Sequence, residues 1–142
     1  MIILKSVSIF SRTPEEVLVD VASVLKEVNV RAGDTIFERG DIGTSMYFIV
    51  SGLLRIHDGD VTVAELGERE IVGELAVLDP QPRSASVTAR KDTLLLQLDR
   101  DALYELMTDR VEVARGIIQV LCHKLRVASG SAIPGPRTEP VR

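Results

Sequence analysis

The apolar and polar positions divide the chain into three zones of different periodicity. In the first zone, residues 1 to about 26, Val17, Val21 and Val24 recur on one face of a helix. The run Thr13-Pro14-Glu15-Glu16 places a hydroxyl residue before a proline and two acids, which is a strong helix start signal. We therefore expect an N-terminal helical segment whose main helix is capped by Thr13.

The middle zone, from Val28 to Leu98, consists of short apolar, β-branched runs broken by glycine and aspartate. Asp58-Gly59-Asp60 is a good hairpin turn. Eight short strands at this spacing predict an antiparallel barrel or double-sheet roll. The segment from Gly73 to Pro82 is not strand-like, and an insertion in a regular β-roll is where a binding site is expected. The predicted strands are residues 28–31, 35–37, 45–50, 53–57, 61–66, 71–72, 84–89 and 93–98.

The third zone is helical again, with Asp99 and Asp109 as expected caps for helices at Ala102–Met107 and from about Val111 to Val127. The longer helix carries two apolar stripes. One stripe is expected to cover the roll; the other has three open interpretations: a ligand contact, a partner helix such as that of a homodimer, or a further domain. The two stripes are Val113, Ile117, Val120 and Val127 on one face, and Ala114, Ile118, Leu121 and Leu125 on a neighbouring face.

The composition places these elements in one domain, which we expect to span residues 1–128, followed by a disordered Pro- and Gly-rich tail at 129–142. The formal net charge of −4 argues against general nucleic-acid binding. Cys122 is the single cysteine, which excludes a disulfide framework and fits a reducing, cytoplasmic location. No run approaches the ~20 apolar residues of a membrane span, and no signal peptide is recognisable.

Catalysis and metal binding find no support in the sequence. His57 and His123 lie in unrelated segments, whereas a metal site in a β-roll needs clustered histidine and acid ligands. No serine has a nearby histidine and aspartate pattern. We therefore expect a protein that is not an enzyme and holds no metal.

The segment from Val72 to Val87 contains the candidate chemistry. Glu74 can accept a hydrogen bond from a ribose hydroxyl, and the Arg83 guanidinium can form a bidentate contact with phosphate oxygens. A helix beginning just after Gly73 would direct backbone N–H groups at the same anion. The small residues Ala76 and Ala85 let the backbone approach a ligand.

Two blocks of the chain resemble the cyclic nucleotide-binding domain family, the sensor module of catabolite activator proteins and of cAMP-dependent kinase regulatory subunits. One block is residues 33–52, a run of glycine-punctuated strands; the other, Gly73-Glu74-Leu75-Ala76 through Pro82-Arg83-Ser84-Ala85-Ser86, is similar to the family's phosphate-binding cassette. The resemblance covers residues 4–127. It implies a mainly β fold with flanking helices: an eight-stranded antiparallel double-sheet jelly roll with an embedded short helix, an N-terminal helical segment and two C-terminal helices.

The resemblance also implies the ligand and its contacts. Arg83 would bind the cyclic phosphate, Glu74 the ribose 2′-hydroxyl, and Ser84 would add a hydroxyl donor. The remaining contacts implied are the Gly73 backbone, the Leu75 and Ala76 N–H groups, the small Ala85, and base-facing Val63, Ile71 and Val72. Ser84 is compatible with either base; we expect cAMP rather than cGMP.

As a sensor, the domain is expected to signal through its last helix to an effector domain or protein outside this chain, because no helix-turn-helix pattern follows it. Partners are thus a cyclic nucleotide and an effector, without nucleic acid or direct membrane insertion. The alternative from a different class is a nucleotide-free roll that acts as a protein-interaction or oligomerisation module.

Overall fold

The computed structural model describes residues 8–132. Over this range the fold is mainly β, with ten strands and three α-helices. The helices are α1 (Glu15–Ser23), α2 (Arg100–Asp109) and α3 (Val111–Ala132), with 3-10 helices at Ser8–Phe10 and Glu74–Val77. The strands are β1 (Lys26–Val30), β2 (Thr35–Phe37), β3 (Ile42–Gly43), β4 (Ser45–Ser51), β5 (Leu54–Asp58), β6 (Val61–Leu66), β7 (Ile71–Val72), β8 (Gln81–Pro82), β9 (Ser86–Ala89) and β10 (Thr93–Asp99).

The strands form two four-stranded antiparallel sheets, in the orders β1-β10-β4-β7 and β2-β9-β5-β6. This arrangement confirms the predicted double-sheet roll with flanking helices. The eight predicted strands correspond to the eight strands of these two sheets; the structure adds the two-residue strands β3 and β8, which pair with each other as a separate ribbon. A strand of two residues is too short to show the alternation of apolar and polar positions by which a strand is predicted from sequence. In addition, β8 lies in the segment we expected to lack strands.

The two central strands of the first sheet, β10 and β4, contribute buried side chains on both faces of the sheet, as the nearly continuous apolar run of β10 indicates. Leu98 of β10 and Phe48 of β4 belong to a core shared with the helices. Leu95 and Ile49, which are opposite each other in the β10–β4 register, belong to a second core inside the roll. The sheet thus separates a helical core from a roll core.

The helices differ from the predicted ones at their ends. α1 begins at Glu15 with Pro14 at its N-cap position, so Thr13 lies one residue outside the cap. Asp99 is the N-cap residue of α2, but its side chain makes no capping bond. Asp109 is the last residue of α2 rather than a cap of α3. Residues 1–7 of the predicted N-terminal segment lie outside the described residues.

α3 is longer than predicted and continues through Ala132, beyond the tail boundary expected at Ser129. The helical backbone therefore includes residues 129–132 of the stretch expected to be the tail. Residues 133–142 lie outside the described range. Gly116 lets α3 pack closely on the N-terminal segment, since a Cβ there would be 3.0 Å from Thr13 Oγ1 and 3.2 Å from the Arg12 carbonyl. This contact fixes the course of α3 past the roll.

Candidate functional site

A cavity of about 380 Å³ opens between the 3-10 helix Glu74–Val77 and the second sheet. Its volume is in the range of small-molecule sites. Eight of the ten predicted site residues line it: Ile71, Val72, Gly73, Leu75, Ala76, Arg83, Ser84 and Ala85. Seven further residues complete the lining: Phe37, Ile56, Leu66, Asp79, Gln81, Pro82 and Val87.

Gly73 is the N-cap residue of the 3-10 helix and has a left-handed backbone, with φ of 73°. A Cβ at this position would overlap Arg83 Nη1 and lie 3.0 Å from the Ser45 carbonyl oxygen. Both the backbone angle and the lack of space therefore require glycine here. The Ala76 N–H donates to the Gly73 carbonyl at 3.0 Å, so one of the two predicted phosphate-binding amides is engaged within the turn.

Arg83 follows β8 and is fixed by backbone bonds to the loop before β3. Its N–H donates to the Asp41 carbonyl at 2.7 Å, and its carbonyl accepts from the Gly40 N–H at 2.9 Å. The guanidinium then turns inward, where Nη2 donates to the Ser45 carbonyl at 2.9 Å and Cζ lies 4.0 Å from the centre of the Phe37 ring. The side chain is half-buried, and burial lowers the pKa of Arg83 from the ordinary arginine value.

Two features leave the Arg83 cation incompletely satisfied. No carboxylate among residues 8–132 forms an ion pair with its guanidinium. Its Nε is buried without a hydrogen-bond partner. The Asp41 carboxylate attracts the guanidinium from beyond ion-pair distance, and the groups in direct contact with it are a carbonyl and an aromatic face. A half-buried cation with these contacts is suited to receive an anion from the cavity.

Glu74 does not line the cavity. Its carboxylate Oε1 lies 3.5 Å from Nζ of Lys124 on α3, and the Glu74 side chain is only 16% exposed. The structure therefore brings Glu74 to the rim between the 3-10 helix and α3, on the first turn after Gly73 as predicted, but directed at α3.

Val63 is the other predicted residue that the structure does not bring to the cavity. It lies on the edge strand β6 with 65% of its side-chain surface exposed. Ile56 and Leu66, from β5 and the end of β6, supply the apolar wall instead. The β5–β6 pairing, Leu54 opposite Leu66, decides which residues face inward, and the register of two short strands was not readable from the sequence.

Phe37 is the most consequential lining residue that the sequence did not identify. It reaches Arg83 because β2 pairs with β9, with Phe37 opposite Val87. The two segments are far apart along the chain, so no local pattern links this ring to the arginine.

Other kinds of site receive no geometric support within residues 8–132. No group of three or more His, Cys, Asp or Glu side chains lies close enough to hold a metal ion. None of the helices in that range is long and apolar enough to cross a membrane.

An apolar cavity inside a β-roll, with an arginine that forms no ion pair within residues 8–132 beside a left-handed glycine, is a candidate site for a small anionic ligand. Comparison with known sequences gives the family. The sequence profile of the cyclic nucleotide-binding domain matches residues 27–110, more than half of the chain. The chain belongs to the cyclic nucleotide-binding domain family.

Individual relatives agree with this assignment. The chain is 31% identical over 129 residues to a CRP-like cAMP-activated global transcriptional regulator of Mycobacterium tuberculosis, covering 87% of this chain and 58% of the relative. It is 40% identical over 101 residues to the cyclic AMP receptor protein of Thermus thermophilus, covering 68% and 47%. The chain thus spans about half the length of these curated relatives.

A solved structure shares nearly the whole fold. The N-terminal domain of a transcriptional regulator from Streptomyces coelicolor A3(2) superimposes with a TM-score of 0.86 at 27% identity, covering 96% of this chain and 99% of that one. The fold and the family are therefore established for the complete described domain.

Proposed function

We propose that the domain binds a cyclic nucleotide, with cAMP as its ligand, in the cavity beside the 3-10 helix Glu74–Val77. The observation that carries the proposal is Arg83: a half-buried guanidinium that lines the cavity and forms no ion pair with a carboxylate among residues 8–132. A cyclic phosphodiester carries one negative charge, so one guanidinium neutralises it without leaving a buried excess charge.

The roles of the other residues follow from the position of Arg83. With the phosphate at Arg83 and the Gly73 backbone, Ser84 and Ala85 lie beside the phosphate, together with the Leu75 and Ala76 amides. The Ala76 N–H first has to leave the Gly73 carbonyl to contribute. The base occupies the apolar wall, formed by Ile71 and Val72 with Ile56 and Leu66 rather than by exposed Val63.

Glu74 binds the ribose hydroxyl in this proposal, and to do so its carboxylate has to turn from Lys124 toward the cavity. Ligand binding therefore competes with a contact to α3. This competition supplies differential affinity for two positions of α3, which is what a ligand needs to shift a conformational equilibrium. The signal passes from α3 to an effector domain or protein.

The names of the relatives support cAMP over cGMP, since the names of both curated regulators mention cAMP.

We further propose that the domain is a cytoplasmic sensor without catalytic activity. The proposal also includes a homodimer through α3, because Ile118 and Leu125 of the second apolar stripe are 60% and 67% exposed.

Titration calorimetry with cAMP and then cGMP at fixed ionic strength tests the proposal. We expect cAMP to bind at micromolar concentration or tighter and cGMP to bind more weakly. Arg83→Leu is expected to abolish binding while the domain stays folded, whereas Arg31→Leu, at an exposed arginine after β1, leaves binding unchanged.

Two outcomes would contradict the proposal. If Arg83→Leu binds cAMP as tightly as the parent, the phosphate assignment is wrong. If a folded parent gives no heat with either nucleotide, the exposed stripe of α3 favours the second candidate function, a nucleotide-free interaction or oligomerisation module.

A further inference from the structure

We propose that Phe37 and Gly43 are positioning residues that hold the Arg83 guanidinium ready for an anion. This inference rests on the proposed function, because the anion is the cyclic phosphate. Together with Gly73 and the Ser45 carbonyl they form what we call the arginine niche. The four groups lie on β2, β3, β4 and the start of the 3-10 helix, so four segments of chain meet around one side chain.

Phe37 forms the floor of the arginine niche. The Arg83 Cζ lies 4.0 Å from its ring centre, well within the distance at which the negative face of an aromatic ring attracts a cation. The ring is itself packed against Tyr47, at 6.3 Å between centroids with a 32° tilt. Phe37 is therefore a fixed surface under the guanidinium.

Gly43 forms a wall of the arginine niche by lacking a side chain. A Cβ at Gly43 would overlap Cζ and Nε of Arg83. Its φ is not positive, unlike that of Gly33, Gly40 or Gly73, so the backbone does not require glycine. Close approach of the arginine is the one reason for glycine in strand β3, and the β3–β8 ribbon, with Gly43 opposite Gln81, brings the two together.

The described contacts of Arg83 include no acid, and this determines how the arginine niche acts on the guanidinium. A carboxylate would fix the guanidinium equally well, but it would compete with the phosphate for the same charge. An aromatic face and one carbonyl restrict the side chain, and Asp41 attracts the guanidinium without forming an ion pair with it, so the guanidinium stays open to an anion. Arginine loses substantial rotamer freedom when it is immobilised, and a side chain ordered before binding avoids that loss during binding.

The first test replaces Phe37 by mono-, di- and trifluorophenylalanine in the full chain. Each fluorine weakens the negative face of the ring with little change of shape, so a packing role predicts no trend. We expect the Kd for cAMP to rise stepwise with fluorine number, by about three- to tenfold in total. The Kd for adenosine, which has no phosphate, should not follow the series.

The second test compares Gly43→Ala with Gly67→Ala. A Cβ at Gly67 would meet nothing closer than 3.9 Å and its φ is not positive, so it is a matched control at ordinary contact. We expect Gly43→Ala to weaken cAMP binding at least about tenfold by displacing the guanidinium, with adenosine binding and the far-UV spectrum unchanged.

A ligand-independent measurement separates failure of this inference from failure of the proposed function. In the parent, the buried Nε–H of Arg83 should give a slowly exchanging NMR resonance shifted by the Phe37 ring. Gly43→Ala and Phe37→Leu should shift it to the position of a solvated arginine. If no nucleotide binds yet these shifts occur, the arginine niche stands and the ligand assignment falls.

The inference is overturned by three results. One is a Kd for cAMP that stays flat, or falls, along the fluorine series. Another is equal loss of adenosine and cAMP binding, which would make Phe37 a base contact. The third is an Arg83 Nε–H resonance that does not respond to either substitution.

Discussion

Three donors converge on the carboxylate of Asp99, and one of them is the side chain of Ser45, whose carbonyl accepts from Arg83. Ser45 Oγ and Gln97 Nε2 donate to Oδ1 at 2.6 and 2.7 Å, and Lys26 Nζ donates to Oδ2 at 2.8 Å. The hydrogen bond from Lys26, followed by that from Ser45, lowers the pKa of Asp99 below its ordinary value. Since the Ser45 carbonyl accepts from Arg83, this network stabilises the residue against which the guanidinium rests.

Asp99→Asn is expected to lower the free energy of unfolding by about 1 kcal/mol at pH 7, because charged hydrogen bonds are lost from a partly exposed group. The pKa of Asp99 is lower in the folded than in the unfolded state, so its contribution is present above about pH 4 and is lost as the pH falls through the folded pKa. Urea unfolding from pH 7 to pH 3 checks this.

The informative quantity is the difference in the free energy of unfolding between the parent and Asp99→Asn at each pH. That difference should shrink toward zero at the acid end, whereas Asp60→Asn, in the exposed β5–β6 turn, should differ little from the parent throughout. A difference that is constant or grows at low pH would show that the carboxylate does not act through its charge.

At the scale of elements, an ion pair connects the 3-10 helix to α3: Lys124 Nζ lies 3.5 Å from Glu74 Oε1. The lysine side chain is 50% exposed, so the pair contributes little stability. The position of the ion pair is what matters, because Lys124 engages the same Glu74 carboxylate that the proposed contact with the ribose needs.

Lys124→Gln is therefore expected to tighten cAMP binding by about two- to fivefold. This factor corresponds to the free energy of an exposed ion pair, which the ligand no longer has to break. Calorimetry measures the change, with Lys124→Arg as the variant that keeps the pair and Arg126→Gln as the control for net charge. Weaker binding by Lys124→Gln than by Arg126→Gln would mean that the lysine contacts the nucleotide and does not compete with it.

Elements that are marked by a pattern within a short stretch of sequence were predictable. Features that depend on the pairing of strands far apart along the chain were not. The sequence indicated the roll, the helix start after Gly73 and the two apolar stripes of α3, because alternation, turn residues and helical periodicity are local properties. Which stripe faces inward was left open by the sequence, and Val127 of the inner stripe is exposed. It missed the β3–β8 ribbon and Phe37, and it assigned Val63 to the cavity, because these depend on strand pairing and register. The orientation of Glu74 toward α3 depends on a residue fifty positions away.

Across the whole molecule, the 3-10 helix Glu74–Val77 joins the two cores. Val77 is fully buried in the core shared with the helices, whereas Ala76 lines the cavity on the roll side. Tyr104 of α2 also donates to the Leu78 carbonyl at 2.6 Å, just after this helix. A ligand that moves the 3-10 helix therefore disturbs packing around α2 and α3, which gives the proposed signal a physical path.

The outer face of α3 offers the surface where such a signal leaves the domain. Its apolar residues alternate at spacings of three and four, the pattern of a two-helix seam, while Val113, Ile117 and Val120 on the inner face are buried. The outer residues are the exposed Val111, Ile118 and Leu125, with the partly buried Ala114 and Leu121 between them, of which Leu121 also packs against the core shared with the helices.

Ile118→Lys should convert a dimer to a monomer, raising the dimer Kd by at least about 100-fold, because a lysine at the centre of an apolar seam is an unpaired buried charge. Size-exclusion chromatography with light scattering over a range of concentrations measures this. Val127→Lys is the matched control, since Val127 is 54% exposed on the same helix but lies off the seam. A parent that stays monomeric at the highest concentration would contradict the homodimer. Equal disruption by both variants would place the contact elsewhere on α3, and the exposed seam would then be available to an effector of different sequence.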